Sequence, residues 1–264
     1  MKKMFLVIMV SGLIVSSCKK DDYDGGTKPP VPPAVNSVVI TAAGDSASIV
    51  SKLNQFRVLA GDPLNAAPGA TGGRREVNWD GVPSNLTNNN NFPFDFFGSS
   101  DPNLGNARKR GLILKTTGTS FRVDTTDFSD IEPSYAGQFE AFSRKRLFAY
   151  MGNNVTEVSF KVPGTQTDAF VKGFAVIFSD VDDANSTTVE YFNGDKSLGI
   201  FKAPVGPQGF SLLGVGFPDE KVTRVKITSG NGLLGTGAKD LSNGGAKDLV
   251  VMDDFLYSEP VAAQ

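Results

Sequence analysis

Residues 156–162 read Thr-Glu-Val-Ser-Phe-Lys-Val, and Pro163 and Gly164 follow them directly. Threonine and apolar side chains occupy every second position, and charged or hydroxyl side chains lie between them. This period of two places one face of a β-strand in a core and the other in solvent. Pro163 and Gly164 end the strand because both are turn residues and proline lacks an amide donor. The stretch therefore predicts a half-buried strand.

Strand patterns continue along the chain on both sides of this stretch. Residues 170–178 are apolar on both faces, as a central strand of a sandwich requires. The best helix candidate is 46–56, with Ser46 as its N-cap. Further short strands are predicted at 186–192, 198–202, 210–215, 222–228 and 249–257, with a hairpin turn at 193–195, and with less distinct ones at 74–79, 111–115 and 121–124. We expect an all-β, jelly-roll-like antiparallel β-sandwich with at most one or two short helices.

The composition excludes several classes of function. The 264 residues include no histidine and one cysteine, with a net charge of −2. Without histidine there is no Ser-His-Asp or Cys-His nucleophile and no histidine-ligated metal. A single cysteine closes no intramolecular disulfide. The charge gives no electrostatic footprint for nucleic acid, so we expect no nucleic-acid partner.

The N-terminus has the pattern of a secretory signal. Lys2 and Lys3 precede an apolar run at 4–15 that is too short to span a bilayer. The run ends in Ser-Ser-Cys at Cys18, which resembles a bacterial lipobox. That resemblance implies removal of residues 1–17 and acylation of Cys18 with fatty acids such as palmitate, which would anchor the chain to a membrane. The alternative is an ordinary signal with an incidental cysteine.

Residues 18–34 are charged at first and then rich in glycine and proline, which predicts a flexible tether. A charged stretch directly after the acylated cysteine resembles the surface-export signal of lipoproteins in the Bacteroidota. The resemblance implies a bacterial outer-membrane lipoprotein exposed at the cell surface. The alternative is a simple spacer, which leaves periplasmic and surface orientations open. Residues 35–264 are predicted to form one β-sandwich domain.

The first candidate site contains the only tryptophan of the chain. Guanidinium, carboxylate, amide and indole groups in one strand and turn are able to hold a sugar by stacking and paired hydrogen bonds. The alternative is a structural strand whose tryptophan fills the core and whose arginine and glutamate pair with a neighbour. The ligand-binding candidates are Arg74, Arg75, Glu76, Asn78, Trp79 and Asp80.

Two acidic clusters are candidate metal sites. Asp180, Asp182 and Asp183 follow the most apolar strand, and oxygen ligands of this kind suit a structural Ca²⁺. Asp and Asn also form ordinary turns, which is the alternative. Asp253 and Asp254 lie in an apolar strand, where a buried carboxylate needs a partner. Candidate partners are Arg74 or Arg75, backbone donors, or a calcium shared with the 180–183 loop, and the alternative is a solvent-exposed edge strand.

Two further stretches call for an interpretation. Residues 91–97 read Asn-Phe-Pro-Phe-Asp-Phe-Phe, and we favour a plug of the core over an exposed apolar patch. The pentapeptide Gly-Ala-Lys-Asp-Leu occurs at 237–241 and again at 245–249. We interpret this segment as a flexible loop with a local duplication and not as a structural repeat.

Two resemblances add to this reading. Residues 251–257, Val-Met-Asp-Asp-Phe-Leu-Tyr, resemble the last strand of carbohydrate-binding-type jelly rolls, where such an Asp pair often helps to hold a structural calcium. The stretch from Phe174 to Glu259, with its Phe-Ser-Asp-Val-Asp turn, is similar to an uncharacterised family of bacterial secreted proteins and lipoproteins. Residues 73–81, Gly-Arg-Arg-Glu-Val-Asn-Trp-Asp-Gly, look like its N-terminal signature. The resemblance implies fold and export and transfers no catalytic residue.

Three functions fit these observations. The favoured one is a non-catalytic, membrane-anchored lipoprotein whose extracytoplasmic domain binds a glycan or another cell-surface partner. The second is a structural envelope or matrix protein without a saturable ligand. The third is a polysaccharide hydrolase or lyase, for which two of Glu76, Asp80, Asp180 and Asp182 would serve. No pattern in the sequence places an acid and a base deliberately, so no catalytic residue is predicted.

Overall fold

Two seven-stranded antiparallel sheets face one another across an apolar core. The computed structural model describes residues 35–263, so the predicted signal peptide, Cys18 and the tether lie outside the described residues. The chain from Val35 onward groups as one compact unit. Its strands are β1 (Val38–Gly44), β2 (Arg74–Val77), β3 (Leu112–Thr116), β4 (Ser120–Asp124), β5 (Leu147–Met151), β6 (Val155–Lys161), β7 (Asp168–Phe170), β8 (Gly173–Val181), β9 (Thr188–Asn193), β10 (Lys196–Lys202), β11 (Gly206–Gly216), β12 (Arg224–Thr228), β13 (Val251–Ser258) and β14 (Val261–Ala262).

The strand order confirms the jelly-roll-like sandwich. The first sheet runs β1-β11-β8-β13-β5-β4, with β2 also beside β13, and the second runs β10-β9-β12-β6-β7-β14, with β3 also beside β6. From β7 onward the chain enters the other sheet at every connection except the β9–β10 hairpin. Such crossing joins the two sheets at both ends, so residues distant in sequence meet at the ends of the strands.

The central strands β8 and β13 are covered on both faces. Phe174 of β8 and Phe255 of β13 face the second sheet in the main core. Ala175 and Leu256 face the opposite way, into a smaller cluster under a helix. This is why the predicted apolar run has no alternation.

The helix is α1 (Ser46–Ala60), which confirms the predicted helix and extends it by one turn. Its N-cap is Asp45, whose Oδ1 accepts from the Ser48 amide at 2.8 Å, so the assignment of Ser46 as the cap was wrong. The Asp45 carboxylate precedes the helix and accepts from an amide of the first turn that has no acceptor within the helix. Phe56 packs on β11 at Gly214, where a Cβ would lie 2.5 Å from the ring, so this close approach requires glycine.

The structure corrects the predicted strands in two respects: one predicted strand is divided between the two sheets, and three strands were not predicted. The single strand predicted at 170–178 is two strands, because β7 ends at Phe170 in the second sheet and β8 starts at Gly173 in the first. Both sides of this crossing are apolar, so the hydropathy pattern does not show it. The prediction also missed β1, β5 and β14; β5 is buried along its whole length and shows no alternation. Among residues 35–263, no helix has the length and apolar character needed to cross a membrane.

Candidate metal centre

The end of β8 brings two carboxylates next to a third from a distant loop. Asp180, Asp182 and Asp240 each offer an oxygen atom, and these three atoms lie within 4.8 Å of one another. Asp180 is fully buried and has a left-handed backbone (φ 66°), which bends the chain as it leaves the sheet. Asp240 caps the short 3₁₀ turn Leu241–Asn243. Three oxygen ligands thus meet where β8 ends.

Two of these carboxylates are held by the protein and one is not. Asp180 Oδ1 accepts from the Gln208 amide at 2.7 Å, and Asp240 Oδ1 accepts from the Leu249 amide at 2.6 Å. Both carboxylate oxygens of Asp182 are buried, and neither accepts a hydrogen bond from an amide, hydroxyl or cationic group among residues 35–263. A buried carboxylate without donors is costly, so this side chain calls for a cation or a proton.

A fourth carboxylate fixes the backbone that carries Asp182. Asp248 is fully buried and accepts from the amides of Asp182 at 3.2 Å and Asp183 at 3.1 Å, and also from the Ser186 hydroxyl. Asp183 itself is outside the group of three, since its Oδ1 accepts from the Asn185 amide at 2.9 Å. It is a turn residue, as the alternative interpretation of this loop proposed.

Asp240 and Asp248 are the carboxylates that the sequence prediction missed. Each is the aspartate of one copy of the doubled Gly-Ala-Lys-Asp-Leu pentapeptide. The two copies lie side by side, joined by a parallel bridge between Asp240 and Lys247. The interpretation of this segment as a flexible loop with a local duplication did not foresee that its two aspartates lie at or beside the cluster. An aspartate at the same position of each copy was the available signal.

The electrostatics of the cluster favour a bound cation. Burial, together with the charges of Asp240 and Asp248, raises the pKa of Asp180 to about 6. Burial, a side-chain hydrogen bond with Asp240 that needs a proton on one of the two carboxyls, and the neighbouring charges raise the pKa of Asp182 to about 7. Within the described part of the chain, no Lys or Arg forms an ion pair with Asp180, Asp182 or Asp240. The buried Asp cluster is thus able to hold a metal ion, and its ligands are oxygen atoms.

The tryptophan segment contributes its two largest side chains to the interior. Arg75 is fully buried and pairs with Glu259 through two bonds, Nε–Oε2 at 2.8 Å and Nη2–Oε1 at 2.7 Å. Trp79 stacks on Phe148 with ring centroids 4.0 Å apart and donates from Nε1 to the Asp253 carbonyl at 2.7 Å. A ligand reaches neither side chain without unfolding, and both match the structural alternative.

The other four candidates of this segment do not line a common cleft. Glu76 is half-buried and accepts from Arg57 at 2.9 Å and from Arg74 at 2.8 Å. Asn78 is exposed. Burial raises the pKa of Asp80, whose nearest cation is Arg144 at 3.9 Å. The segment works as a strand that ties α1 and the end of the chain to the sheet.

Asp253 and Asp254 lie at a bulge in β13, where the register with β8 shifts. Asp253 Oδ2 accepts from the amides of Phe142 at 2.6 Å and Ser143 at 3.1 Å, and Asp254 Oδ1 accepts from the Ser143 hydroxyl at 2.7 Å. Of the predicted partners, backbone donors are therefore correct, and burial of both side chains rules out an exposed edge strand. Among the described residues neither aspartate pairs with an arginine, and neither belongs to the carboxylate group of Asp180, Asp182 and Asp240. Burial and the charge of Asp254 raise the pKa of Asp253 to about 9.

The phenylalanine-rich segment is a plug with one exception. Phe92, Phe96 and Phe97 are buried in the main core, where they contact one another and Trp79. Phe94 points outward and is 56% exposed. Both predicted alternatives thus describe part of the segment.

The comparisons with known proteins assign no family. No protein-family description matches the chain, and no curated protein matches it. A solved structure of TmCBM61 in complex with β-1,4-galactotriose matches with a TM-score of 0.28 and 10% identity, covering 66% of this chain and 99% of the other. Similarity at this level gives this chain neither a family nor a ligand. The family resemblance noted in the sequence stays a prediction.

Replacing Glu259 with alanine should cost about 3–5 kcal/mol of the free energy of unfolding, because it leaves the Arg75 guanidinium buried without its counter-charge. Urea unfolding measures this loss. Glu157→Ala is the matched control: it breaks an ion pair with Arg224 whose side chains are 28% and 27% exposed and should cost less than about 1 kcal/mol. Equal losses in the two variants would contradict a special role for the buried pair.

Asp253→Asn should flatten the dependence of stability on pH between 7 and 9. The folded protein holds a proton that the unfolded chain releases near its ordinary pKa of about 3.9, so the free energy of unfolding falls as pH rises toward 9. Asparagine keeps an oxygen acceptor for the two amides and carries no charge to titrate. Thermal unfolding at several pH values measures the slope.

The exposed Asp195→Asn variant, in the β9–β10 hairpin, is the control for charge alone and should keep the wild-type slope. A wild-type protein whose stability does not fall from pH 7 to pH 9 would show that Asp253 is ionised in the folded state.

Proposed function

We propose that this protein is a non-catalytic, membrane-anchored lipoprotein whose extracytoplasmic β-sandwich binds a glycan, and that a bound Ca²⁺ completes the fold. The observation that carries the calcium is the Asp182 carboxylate, buried without a partner beside Asp180 and Asp240. Carboxylate oxygens prefer hard cations, and sites in extracellular modules bind Ca²⁺ with dissociation constants near 10⁻⁴–10⁻³ M. A calcium-rich compartment outside the cytoplasm suits a site of this kind.

A second buried group supports the metal site. Gln138 is 4% exposed and contributes to the environment of Asp180. Its Oε1 accepts from Asn243 Nδ2 at 2.8 Å, while its Nε2 is directed at the Asp180 carboxyl, whose pKa it lowers, without a well-formed hydrogen bond to any residue among 35–263. Rotating the side-chain amides of Gln138 and Asn243 by about 180° would exchange their oxygen and nitrogen atoms. This would keep the hydrogen bond between the two side chains and present Gln138 Oε1 to the cluster. The three carboxylates and this amide would then offer four oxygen ligands.

A metal here would tie together parts of the chain that are distant in sequence. Asp180 lies at the end of β8, Asp182 follows the strand directly, and Asp240 belongs to the loop that leads into β13. Since β8 and β13 are neighbours in the first sheet, the ion would close the loop over the end of this pair. We therefore give it a structural role and route no reaction through it. The supporting observation is the chemistry of the ligand set.

The lipid anchor rests on the sequence around Cys18. The charged, apolar and small-residue regions of 1–17 occur in the order of a lipoprotein signal, and the residues after Cys18 provide a spacer. Acyl chains on one cysteine bury many methylene groups at about 0.8 kcal/mol each and hold the protein at the outer membrane.

The glycan is favoured over a structural role without a ligand because the surface carries an exposed aromatic side chain among polar groups. Phe94 is 56% exposed although its aromatic neighbours are buried. Of the carboxylates considered for hydrolysis, Asp180 is buried and Glu76 is bound by two arginines, so we assign no reaction.

Adding 10 mM Ca²⁺ to the protein in EDTA should raise its melting temperature. A site with a dissociation constant of about 10⁻⁴–10⁻³ M would gain about 1.4–2.7 kcal/mol, or roughly 4–8 °C for a domain of this size. Asp182→Asn should abolish the shift and should not lower the stability in EDTA, because it removes a buried charge without a partner.

Asp183→Asn is the matched control, one residue further along the same loop and outside the group of three. It should keep the full calcium shift. A shift that is lost in Asp183→Asn and kept in Asp182→Asn would place the ion elsewhere, and a wild-type protein without any shift would overturn the calcium site.

Cys18→Ser should release the protein from the membrane fraction of a bacterial host, because serine has no thiol to acylate. Fractionation, together with incorporation of a labelled palmitate analogue, measures the change. Ser17→Ala keeps a small residue before the cysteine and should leave the protein membrane-bound. Labelling that persists in Cys18→Ser would overturn the assignment.

A further inference from the structure

A groove runs along the side of the sandwich, between the segment 90–94 and the facing ends of β3 and β4. It is shallow and wide open to solvent, with a volume of about 520 Å³, within the range of about 300–1,000 Å³ that is typical of ligand sites. The segment is bonded to both sheets: the Phe92 amide donates to the Phe121 carbonyl at 3.3 Å, and the Leu114 amide donates to the Phe94 carbonyl at 2.9 Å. The walls are therefore fixed before any ligand binds.

One side of the groove carries the exposed aromatic ring. Phe94 is the one aromatic side chain in residues 35–263 that is more than half exposed, while Phe92 and Phe96 on either side are 4% and 2% exposed. The core takes the neighbouring rings and anchors the backbone that holds Phe94 in solvent. A flat apolar ring held in this way is available for stacking.

The rest of the lining is polar and in part unengaged. Asn91, Lys115 and Ser120 are among the lining residues, and none of their side chains forms a hydrogen bond or ion pair within residues 35–263. Lys115 also borders a second, smaller depression beside Glu157 and Lys226. Asn90 is partly engaged, since its Oδ1 accepts from Arg122 at 3.2 Å. No carboxylate lines the groove, and Lys115 is its single cation.

We propose that this groove is the glycan-binding site and that its ligand is a neutral polysaccharide. The inference rests on the proposed glycan-binding function and gives it a location and a ligand class. The Phe94 ring would stack on the apolar face of a sugar ring, while Asn91, Lys115 and Ser120 bond its hydroxyl groups. A neutral chain fits because one cation is too few to neutralise a polyanion and no carboxylate is present to bind a cationic one.

The test uses the purified full chain in detergent and affinity electrophoresis in gels that contain galactan, mannan, laminarin or chondroitin sulfate. Wild-type protein should be retarded by at least one of the three neutral polysaccharides. Phe94→Ala should weaken the binding of that polysaccharide about tenfold, as expected for the loss of one stacking contact. Its melting temperature and its calcium shift should equal those of the wild type, because the side chain is exposed.

Ile200→Ala is the matched control. Ile200 is 64% exposed on β10, an edge strand of the second sheet, and does not line the groove. It should bind as the wild type does. Asn91→Ala provides a second variant within the groove and should weaken binding without altering stability.

The possible outcomes distinguish an error in the binding site or ligand class from an error in the glycan-binding function. If Phe94→Ala and Asn91→Ala bind like the wild type, the groove is wrong while the glycan-binding function stands. If the wild type is retarded by chondroitin sulfate alone, and salt abolishes this, the neutral ligand class is wrong. If no polysaccharide retards the wild type, the glycan-binding function is overturned and the groove with it.

Discussion

The burial of β8 and β13 on both faces is the constraint from which most of the structure follows. The second sheet covers one face and α1 covers the other, so neither strand has a side from which a polar group reaches water. Yet β13 contains two adjacent aspartates and β8 ends in another. Every charge in this pair has to be neutralised or bonded by the protein itself, since an isolated buried charge costs several kcal/mol.

The chain meets this requirement in two ways, with backbone donors and with a counter-charge. Asp253 receives amide donors from a loop that folds over the bulge, and Asp248 receives donors from the loop after β8. Arg75, opposite Tyr257 of β13, takes its counter-charge from Glu259. Among the carboxylates of this region within residues 35–263, Asp182 has neither a donor group nor a cationic side chain as its partner. All of these charged groups lie close to β8 and β13, yet they differ in whether the protein supplies a partner. The calcium proposal rests on this difference and not on the number of acidic residues.

The sequence predicted the architecture better than the sites, for a physical reason. The alternation at 156–162 predicts a strand with one solvent-facing side, and the burial of successive residues in β6 alternates in the same way. Where both faces are buried, as in β5, the alternation disappears, and the strand was missed.

Asp180 and Asp182 were recognised because they are neighbours in sequence, whereas Asp240 meets them only after the chain has crossed between the sheets. Its signal was the repeated pentapeptide, which we interpreted as a local duplication in a flexible loop. Burial of Trp79 and Arg75 likewise depends on Phe148 and Glu259, partners far away in the chain.

The segment 91–97 shows how one run of residues serves both stability and binding. Three of its four rings complete the core, and bonds to both sheets fix its backbone. The fourth ring is thereby held in solvent without a flexible loop beneath it. A ligand that stacks on Phe94 would not have to order the site first, so little of its binding energy would be lost as entropy. The prediction of a core plug and the prediction of an exposed patch were thus not exclusive, because burying Phe92, Phe96 and Phe97 is what positions Phe94.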